Sequence, residues 1–185
     1  GGRRFPGSGL FAVKGPMTRT TADLVAALAP SVGPHPTDMF SLPAPHAPWH
    51  DALEGVGVPH RVLWAPDWGY EVDATVRDVT AAAVASLAAA GTDIIEVATV
   101  FDDDPVIPWF TMWTAAMWRM HEHHWDTPQW DRITPGLAWQ MQFARDQVSV
   151  GDHARALDAA HAANLRLVEL FEQAPVLLCP TTAGR

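Results

Sequence analysis

HRVLWAPDWGYEVDATVRDVTAAAVASLAAAGTDIIEVA, residues 60–98, is the stretch that decides the fold. Its first six residues are rich in Val, Leu and Trp, which is typical of a buried parallel strand. Asp73 can cap a following helix, and Gly91 is a suitable C-terminal stop for it. The apolar residues of that helix are predicted to share one face: Val76, Val79, Ala83, Val84 and Leu87. A second buried strand follows at residues 94–98, so the stretch predicts a right-handed parallel strand–helix–strand crossover.

Further helices and one more strand are predicted on either side of this unit. Thr20 caps a first helix, with Asp23 completing a capping box. A third helix opens at Asp104-Pro105 and runs to about His121, a fourth starts at Thr134-Pro135, and a long fifth starts at Ser149 or Asp152. The fifth helix packs through Ala156, Ala160, Ala163, Leu167 and Leu170, and the last strand spans residues 176–179. The sum is an α/β fold with a mixed, largely parallel sheet covered by helices.

Composition narrows the class of protein. The chain has 185 residues, is 48% hydrophobic and 18% charged, and carries a net charge of −9. These values fit a globular domain and disfavour nucleic acid as a partner, since phosphate binding needs clustered cations. No apolar run reaches the roughly 20 residues that span a bilayer, so no membrane partner is predicted. The single cysteine, Cys179, is compatible with a cytoplasmic location and is expected to be a small buried hydrophobe.

Four segments in order resemble one known family. They are GPMTRTTADL (residues 15–24), DMFSLPAP (38–45), RVLWAPDWGYEVD (61–73) and VLLCPTTA (176–183). Together they resemble the amidase signature family, serine hydrolases that cleave amides through a Ser–Ser–Lys triad. The resemblance implies that a small-molecule amide is the substrate of the intact enzyme, that no cofactor is needed, and that residues 1–185 form a single partial amidase-like domain.

The catalytic motifs of that family do not occur in this sequence. The family places one serine in a Gly-Gly-Ser-Ser-Gly-Gly loop and the nucleophile in a Gly-Gly-Ser-x-Arg motif, and none of Ser8, Ser31, Ser41, Ser86 and Ser149 has such a setting. Lys14 is the only lysine, and the family's catalytic lysine lies upstream of both serines. The expectation is therefore the middle and rear of an amidase that lacks its catalytic front, with no catalytic residue of its own.

Four residues are predicted to bind substrate. Trp68 and Tyr70 lie in a loop at the C-terminal end of a parallel strand, where open α/β sheets place ligands. The alternative is a turn made by Gly69, with Tyr70 packed on the next helix. Trp109 and Trp113 are spaced to share one face of the third helix and can line an aromatic pocket. Core packing is the alternative for these two.

Two polar clusters are weighed as metal sites and disfavoured. His121, His123 and His124 do not have the i, i+4 spacing of a helical zinc site, and favourable contact of histidines with helix C-terminal carbonyls is the simpler interpretation. Asp102–Asp104 are adjacent in sequence and do not point one way, so a solvated loop with helix N-terminal charges is favoured. No metal is predicted.

Two other classes of function stay open beside the amidase. One is a catalytically inactive amidase-like module that serves in binding or interaction, with possible self-association through an exposed sheet edge. The other is a metal-binding protein that uses the His121–Asp126 cluster.

Overall fold

The computed structural model describes residues 15–38, 40–46, 48–53 and 57–184. Ser8, Lys14 and Met39 lie outside the described residues. By their contacts the chain divides into two compact units, Gly57–Pro108 with Ala154–Arg185, and Gly1–Val56 with Trp109–His153. We call the first the sheet unit and the second the helical unit. The prediction of a single domain stays a prediction.

The helices and strands lie close to where the sequence places them. The helices are α1 (Thr21–Leu28), α2 (Ala74–Ala89), α3 (Val106–His121), α4 (Pro135–Gln147) and α5 (Val150–Phe171). The strands are β1 (Arg61–Trp64), β2 (Asp93–Glu96) and β3 (Leu177–Leu178). Short 3₁₀ segments span Ala29–Ser31, Asp51–Leu53, Glu122–His124 and Trp130–Arg132. Among the described residues, none of the helices is both long and apolar enough to cross a membrane.

The sheet has the order β2-β1-β3, and both of its strand pairs are parallel. Arg61 pairs with Asp93 and Leu63 with Leu177, so β1 lies in the centre. Its residues Val62 and Leu63 are fully buried, as the near-continuous apolar sequence predicts. The predicted α/β class and the strand–helix–strand unit β1–α2–β2 are confirmed.

The core of the sheet unit forms between the sheet and the C-terminal part of α5. Leu63, Ala65, Val97, Val100 and Leu170 are among its buried members. The predicted packing face of α5 is confirmed, since Ala156 and Leu170 are buried and the other three residues of that face are partly buried.

The predicted packing face of α2 is too wide. Val84 is its only buried residue, whereas Val79 is 65% exposed and Ala83 is also exposed. The partly covered residues Val76 and Leu87 lie on the same stripe as Val84. A helix that packs through a single row of side chains leaves the residues beside that row exposed to solvent, even where they are apolar.

In the helical unit, α3 from Trp109 onward packs against α4 through aromatic and sulfur-containing side chains. Phe110 contacts Trp139 and Phe143, with ring centroids 6.2 and 5.5 Å apart, and Met117 and Met141 are buried. The buried Thr114 satisfies its hydroxyl within α3, because its Oγ1 donates to the carbonyl oxygen of Phe110 at 2.9 Å.

Candidate functional site

A cavity of about 290 Å³ opens at the carboxyl ends of β1 and β3. The two strand ends are held together by a hydrogen bond from the Ala65 amide to the Leu178 carbonyl (2.9 Å), and the Asp73 amide donates to the Ala183 carbonyl (2.8 Å). The cavity therefore lies at the edge where parallel sheets place ligands. Two segments supply its lining, namely Asp67, Trp68, Tyr70 and Val72 after β1, and Cys179, Pro180, Thr181, Thr182 and Ala183 after β3.

The segment after β1 is a tight turn whose two central residues have positive φ. Trp68 has φ 56° and Gly69 has φ 85°, and the Tyr70 amide donates to the Asp67 carbonyl at 2.9 Å. The Asp67 side chain stabilises the turn, because its Oδ1 accepts from the Gly69 amide at 2.7 Å. Positive φ at both centres is the pattern of a type I′ turn, so the turn at Gly69 that the alternative interpretation gives is present, whereas the Tyr70 side chain is 40% exposed.

Trp68 carries the conformational strain of this turn and is held by packing. A bulky residue with positive φ is strained, by an amount of order 1–3 kcal/mol. Its ring packs on Phe101, with centroids 5.2 Å apart, and against the core of the sheet unit. Its indole Nε1 is buried and donates to no acceptor within the described residues. Strain and an unused donor beside a cavity are features of a functional position.

Tyr70 is tied to a residue 34 positions along the chain. Its hydroxyl donates to Asp104 Oδ1 at 2.6 Å, and the same oxygen accepts from the Val106 amide at 2.9 Å at the start of α3. The hydrogen bond to Asp104 raises the pKa of Tyr70, with burial adding to the effect. The hydrogen bond from Tyr70, followed by that from the Val106 amide, lowers the pKa of Asp104. The pair therefore stays as a neutral phenol and a carboxylate around neutral pH.

Sequence reasoning found Trp68 and Tyr70 and missed the partner of Tyr70. Asp102–Asp104 were expected to form a solvated loop with helix N-terminal charges, and Asp104 does accept from the first turn of α3. Its contact with Tyr70 has no sequence signal, because it joins two loops across the sheet unit. The sequence does indicate that residues 97–104 lie near the same edge of the sheet, because they directly follow the carboxyl end of β2.

Cys179 is a correction to the expectation of a buried cysteine. It is exposed, because β3 ends at Leu178 and the next residue already lies in the segment that lines the cavity.

Trp109 and Trp113 lie together, in the helical unit. Their rings are parallel within 9° with centroids 6.0 Å apart, which confirms that they share one face of α3. Trp113 Nε1 donates to Gln140 Oε1 of α4 at 3.1 Å, whereas Trp109 is exposed. Their predicted part in a substrate pocket stays a prediction, as does that of Trp68 and Tyr70.

The lining of the cavity combines a few hydrogen-bonding groups with apolar surface. Its polar groups are the Asp67 carboxylate, the Tyr70 phenol, the Cys179 thiol and two threonine hydroxyls, and its remaining walls are apolar. None of these hydroxyl or thiol groups is hydrogen-bonded to a histidine or lysine within the described residues, so the cavity contains no nucleophile and base pair of the usual kind. In the part of the chain that the structure describes, no three His, Cys, Asp or Glu side chains converge to hold a metal ion.

The sequence of the chain matches part of a known enzyme. It is 36% identical over 86 residues to a glutamyl-tRNA(Gln) amidotransferase subunit of Solidesulfovibrio magneticus, covering 45% of this chain and 18% of that protein. No protein-family model matches the chain.

The fold matches part of two solved enzymes. One is a bacterial aryl acylamidase belonging to the amidase signature family (TM-score 0.77, 19% identity, 91% of this chain and 36% of that one). The other is a 6-aminohexanoate cyclic dimer hydrolase complexed with substrate (TM-score 0.67, 22% identity, 84% and 34%). The chain thus spans 18% to 36% of the length of these three proteins. The resemblance to amidase signature hydrolases, over part of their length, is confirmed.

Proposed function

We propose that the chain is part of an amide hydrolase of the amidase signature type and forms one wall of its substrate cavity, at Trp68 and Tyr70, with Asp104 holding the Tyr70 hydroxyl in place. The observation that carries this proposal is the cavity at the carboxyl ends of β1 and β3, in a fold that matches such hydrolases. Trp109 and Trp113 are proposed as a further aromatic contribution to substrate binding.

The Tyr70–Asp104 pair favours a ligand that donates a hydrogen bond. The phenolic proton of Tyr70 already points to Asp104, 2.6 Å away. The Tyr70 oxygen then offers only lone pairs to a ligand, and an amide N–H is a donor that matches them. Trp68, Val72 and Pro180 supply apolar surface for the acyl or amine substituent. The pair therefore distinguishes an amide N–H from an ester oxygen at the same position.

The chemical step in this proposal belongs to residues that the family places in its serine motifs. A serine attacks the amide carbonyl and forms an acyl-enzyme, a second serine and a lysine move the proton, and backbone amides stabilise the oxyanion. Neither serine motif occurs in the 185 residues. We therefore expect the chain by itself to bind small amides and to hydrolyse none of them.

The binding half of the proposal is tested with Tyr70→Phe and two ligands. Acetanilide carries an amide N–H, and phenyl acetate carries an ester oxygen in its place. Tyr70→Phe keeps the ring and removes the acceptor, so it should weaken acetanilide binding about 2- to 10-fold, the range expected for one neutral hydrogen bond. Phenyl acetate binding should change little. Equal losses for both ligands, or no acetanilide binding to the unmodified chain by calorimetry, would contradict this role of Tyr70.

A binding module without catalysis is the second candidate, and the cavity lined by hydrogen-bonding groups and apolar side chains is compatible with it. The genomic sequence upstream of the Gly1 codon separates the two. A reading frame that encodes a lysine strand and both serine motifs, and whose product hydrolyses an anilide until the nucleophilic serine becomes alanine, supports the hydrolase. A frame without them, combined with acetanilide binding, supports the module.

Partners and location complete the proposal. A small amide is proposed as the ligand, and the single cysteine of the sequence supports a cytoplasmic location. The net charge of −9 disfavours nucleic acid as a binding partner, because phosphate groups are also negative. Among the described strands, β2 and β3 are the outer strands of the sheet, and an unpaired outer strand can pair with a second copy. Size-exclusion chromatography with light scattering across a dilution series tests this self-association.

A further inference from the structure

Three tryptophans of the helical unit meet edge to face at one point. Trp118 lies on α3, Trp125 follows the 3₁₀ segment Glu122–His124, and Trp130 begins the next one. Trp125 and Trp130 have ring centroids 4.8 Å apart at 76°, and Trp118 lies 5.9 and 6.2 Å from them at 69° and 76°. We call these three residues the tryptophan corner. Its perpendicular rings present π faces in several directions.

The tryptophan corner already holds one cation of the chain itself. The guanidinium carbon of Arg145 lies 3.9 Å from the Trp125 ring centroid and 5.9 Å from that of Trp118. Arg145 also forms a two-point ion pair with Asp146, at 2.6 and 2.8 Å. These ring faces thus act as cation acceptors in the folded chain, since a positive charge over an indole face is attracted by the ring quadrupole.

A second side of the corner is open. A cavity of about 300 Å³ is lined by Trp125, Asp126, Thr127, Pro128, Trp130 and Asp131, and Arg145 is not among its lining residues. The carboxylates of Asp126 and Asp131 are exposed, and neither forms an ion pair within the described residues. The cavity therefore combines two indole rings with two negative charges that the chain leaves unneutralised.

The backbone around this cavity is fixed by local hydrogen bonds. The Thr127 hydroxyl donates to the His124 carbonyl at 2.7 Å, and the Trp130 amide donates to the Thr127 carbonyl at 2.9 Å. Asp126 between them has φ 58°, the left-handed region in which aspartate is tolerated better than most residues. The two indoles and two carboxylates therefore lie on a loop whose backbone is ordered by its own hydrogen bonds.

We propose that this cavity binds an organic ammonium ion, with quaternary ammonium as the best-fitting class. Indole faces with nearby carboxylates are the chemistry that recognises a diffuse positive charge. Two carboxylates disfavour an anion, and they are too few for a hard metal ion, which needs several converging oxygens. The site is separate from the proposed amide hydrolysis, because none of its lining residues lines the cavity at the carboxyl ends of β1 and β3.

The first test compares a cation with its neutral isostere on the unmodified chain. Choline and 3,3-dimethylbutan-1-ol have the same shape, and only choline is charged. We expect saturable choline binding with a dissociation constant on the order of millimolar, weakened by added salt, and at least roughly tenfold weaker binding of the neutral alcohol. Absence of saturable choline binding by calorimetry overturns the proposal. Equal binding of the two ligands also overturns it, because an apolar pocket does not distinguish them.

The second test locates the bound cation. Asp126→Asn and Asp131→Asn remove one charge each and keep the side-chain size, and each should weaken choline binding about two- to fivefold, the range measured for exposed charge pairs. Asp78→Asn on α2 removes the same charge in the sheet unit and should leave binding unchanged. Losses that are equal at all three positions indicate a diffuse effect of net charge and overturn the assignment. Circular dichroism verifies that each variant is folded, and the choline-versus-alcohol comparison decides the proposal without any variant.

Discussion

Gly91→Val is expected to lower the free energy of unfolding of the sheet unit by about 2–3 kcal/mol, for a reason that lies in the backbone. Gly91 follows the C-cap residue Ala90 of α2 and has φ 97°. Its amide donates to the Ala88 carbonyl at 3.0 Å, and the Thr92 amide donates to the Leu87 carbonyl at 3.1 Å. These two bonds form a Schellman motif, which needs a left-handed residue at the position of Gly91.

The size of the expected loss in unfolding free energy depends on the backbone alone, because a side chain at Gly91 has no steric clash with its neighbours. A Cβ built at Gly91 meets no atom within 4 Å, so a larger side chain has room. What remains is the conformational cost of a positive φ, about 1–2 kcal/mol for an ordinary L residue and more for a β-branched one. Gly91→Ala should therefore cost about 1–2 kcal/mol, Gly91→Val more, and Gly91→Asn the least of the three.

Urea unfolding followed by circular dichroism measures the series, with Gly57→Ala as the matched control. Gly57 belongs to the same unit, also has no atom within 4 Å of a built Cβ, and does not have a positive φ. Gly57→Ala should leave stability unchanged or raise it by about 0.4–1 kcal/mol. An unchanged midpoint for Gly91→Val, or equal losses at Gly57 and Gly91, would refute the argument from φ.

Three further outcomes are expected in the sheet unit. Asp73→Ala should cost about 1 kcal/mol in urea unfolding, because the Asp73 carboxylate accepts from the amides of the first turn of α2, whereas Asp73→Asn should cost less. Leu63→Ala should cost about 2–5 kcal/mol, since Leu63 is fully buried in the core of the sheet unit. Tyrosinate absorbance should place the pKa of Tyr70, the single tyrosine, above its ordinary value, and Asp104→Asn should bring it down. Because folding raises the pKa of Tyr70, its contribution to stability is present below the ordinary tyrosine pKa and is lost as pH rises through the higher one. The contribution of Asp104, whose pKa is lowered, is lost as pH falls through that lowered pKa. A pKa of Tyr70 that Asp104→Asn leaves unchanged would show that the hydrogen bond does not form.

Elements with chemical signals at their ends were predicted accurately from the sequence. Thr20 and Asp73 do cap α1 and α2 through their side chains, and Gly91 does end α2 with a positive φ. These signals depend on hydrogen bonds between residues two or three positions apart, so a single sequence contains them in full. Where no such signal exists the boundaries shift, as for β3, which is two residues long instead of the predicted four.

Burial depends on distant parts of the chain and was predicted less well. The α2 sequence is apolar on several sides, and its periodicity does not tell which row of side chains the sheet covers. The same holds for Cys179, whose exposure depends on where β3 ends. The Tyr70–Asp104 bond belongs to this class too, since no local pattern relates positions that are 34 residues apart.

The nine tryptophans illustrate why residue type is weaker evidence than surroundings. The sequence predicted an aromatic pocket at Trp109 and Trp113 and a ligand-binding loop at Trp68. In the structure Trp68 is strained beside a polar pair, Trp109 and Trp113 stack on one face of a helix, and the tryptophan corner meets carboxylates and a guanidinium. The Asp104 carboxylate beside the first cavity already accepts the Tyr70 hydroxyl and the Val106 amide, which leaves the Tyr70 oxygen to accept from a neutral amide. Indole rings beside carboxylates that form no ion pair within the described residues suit a cation instead. The charges next to each ring, which only the fold brings together, thus lead to two different ligand classes for one abundant residue type.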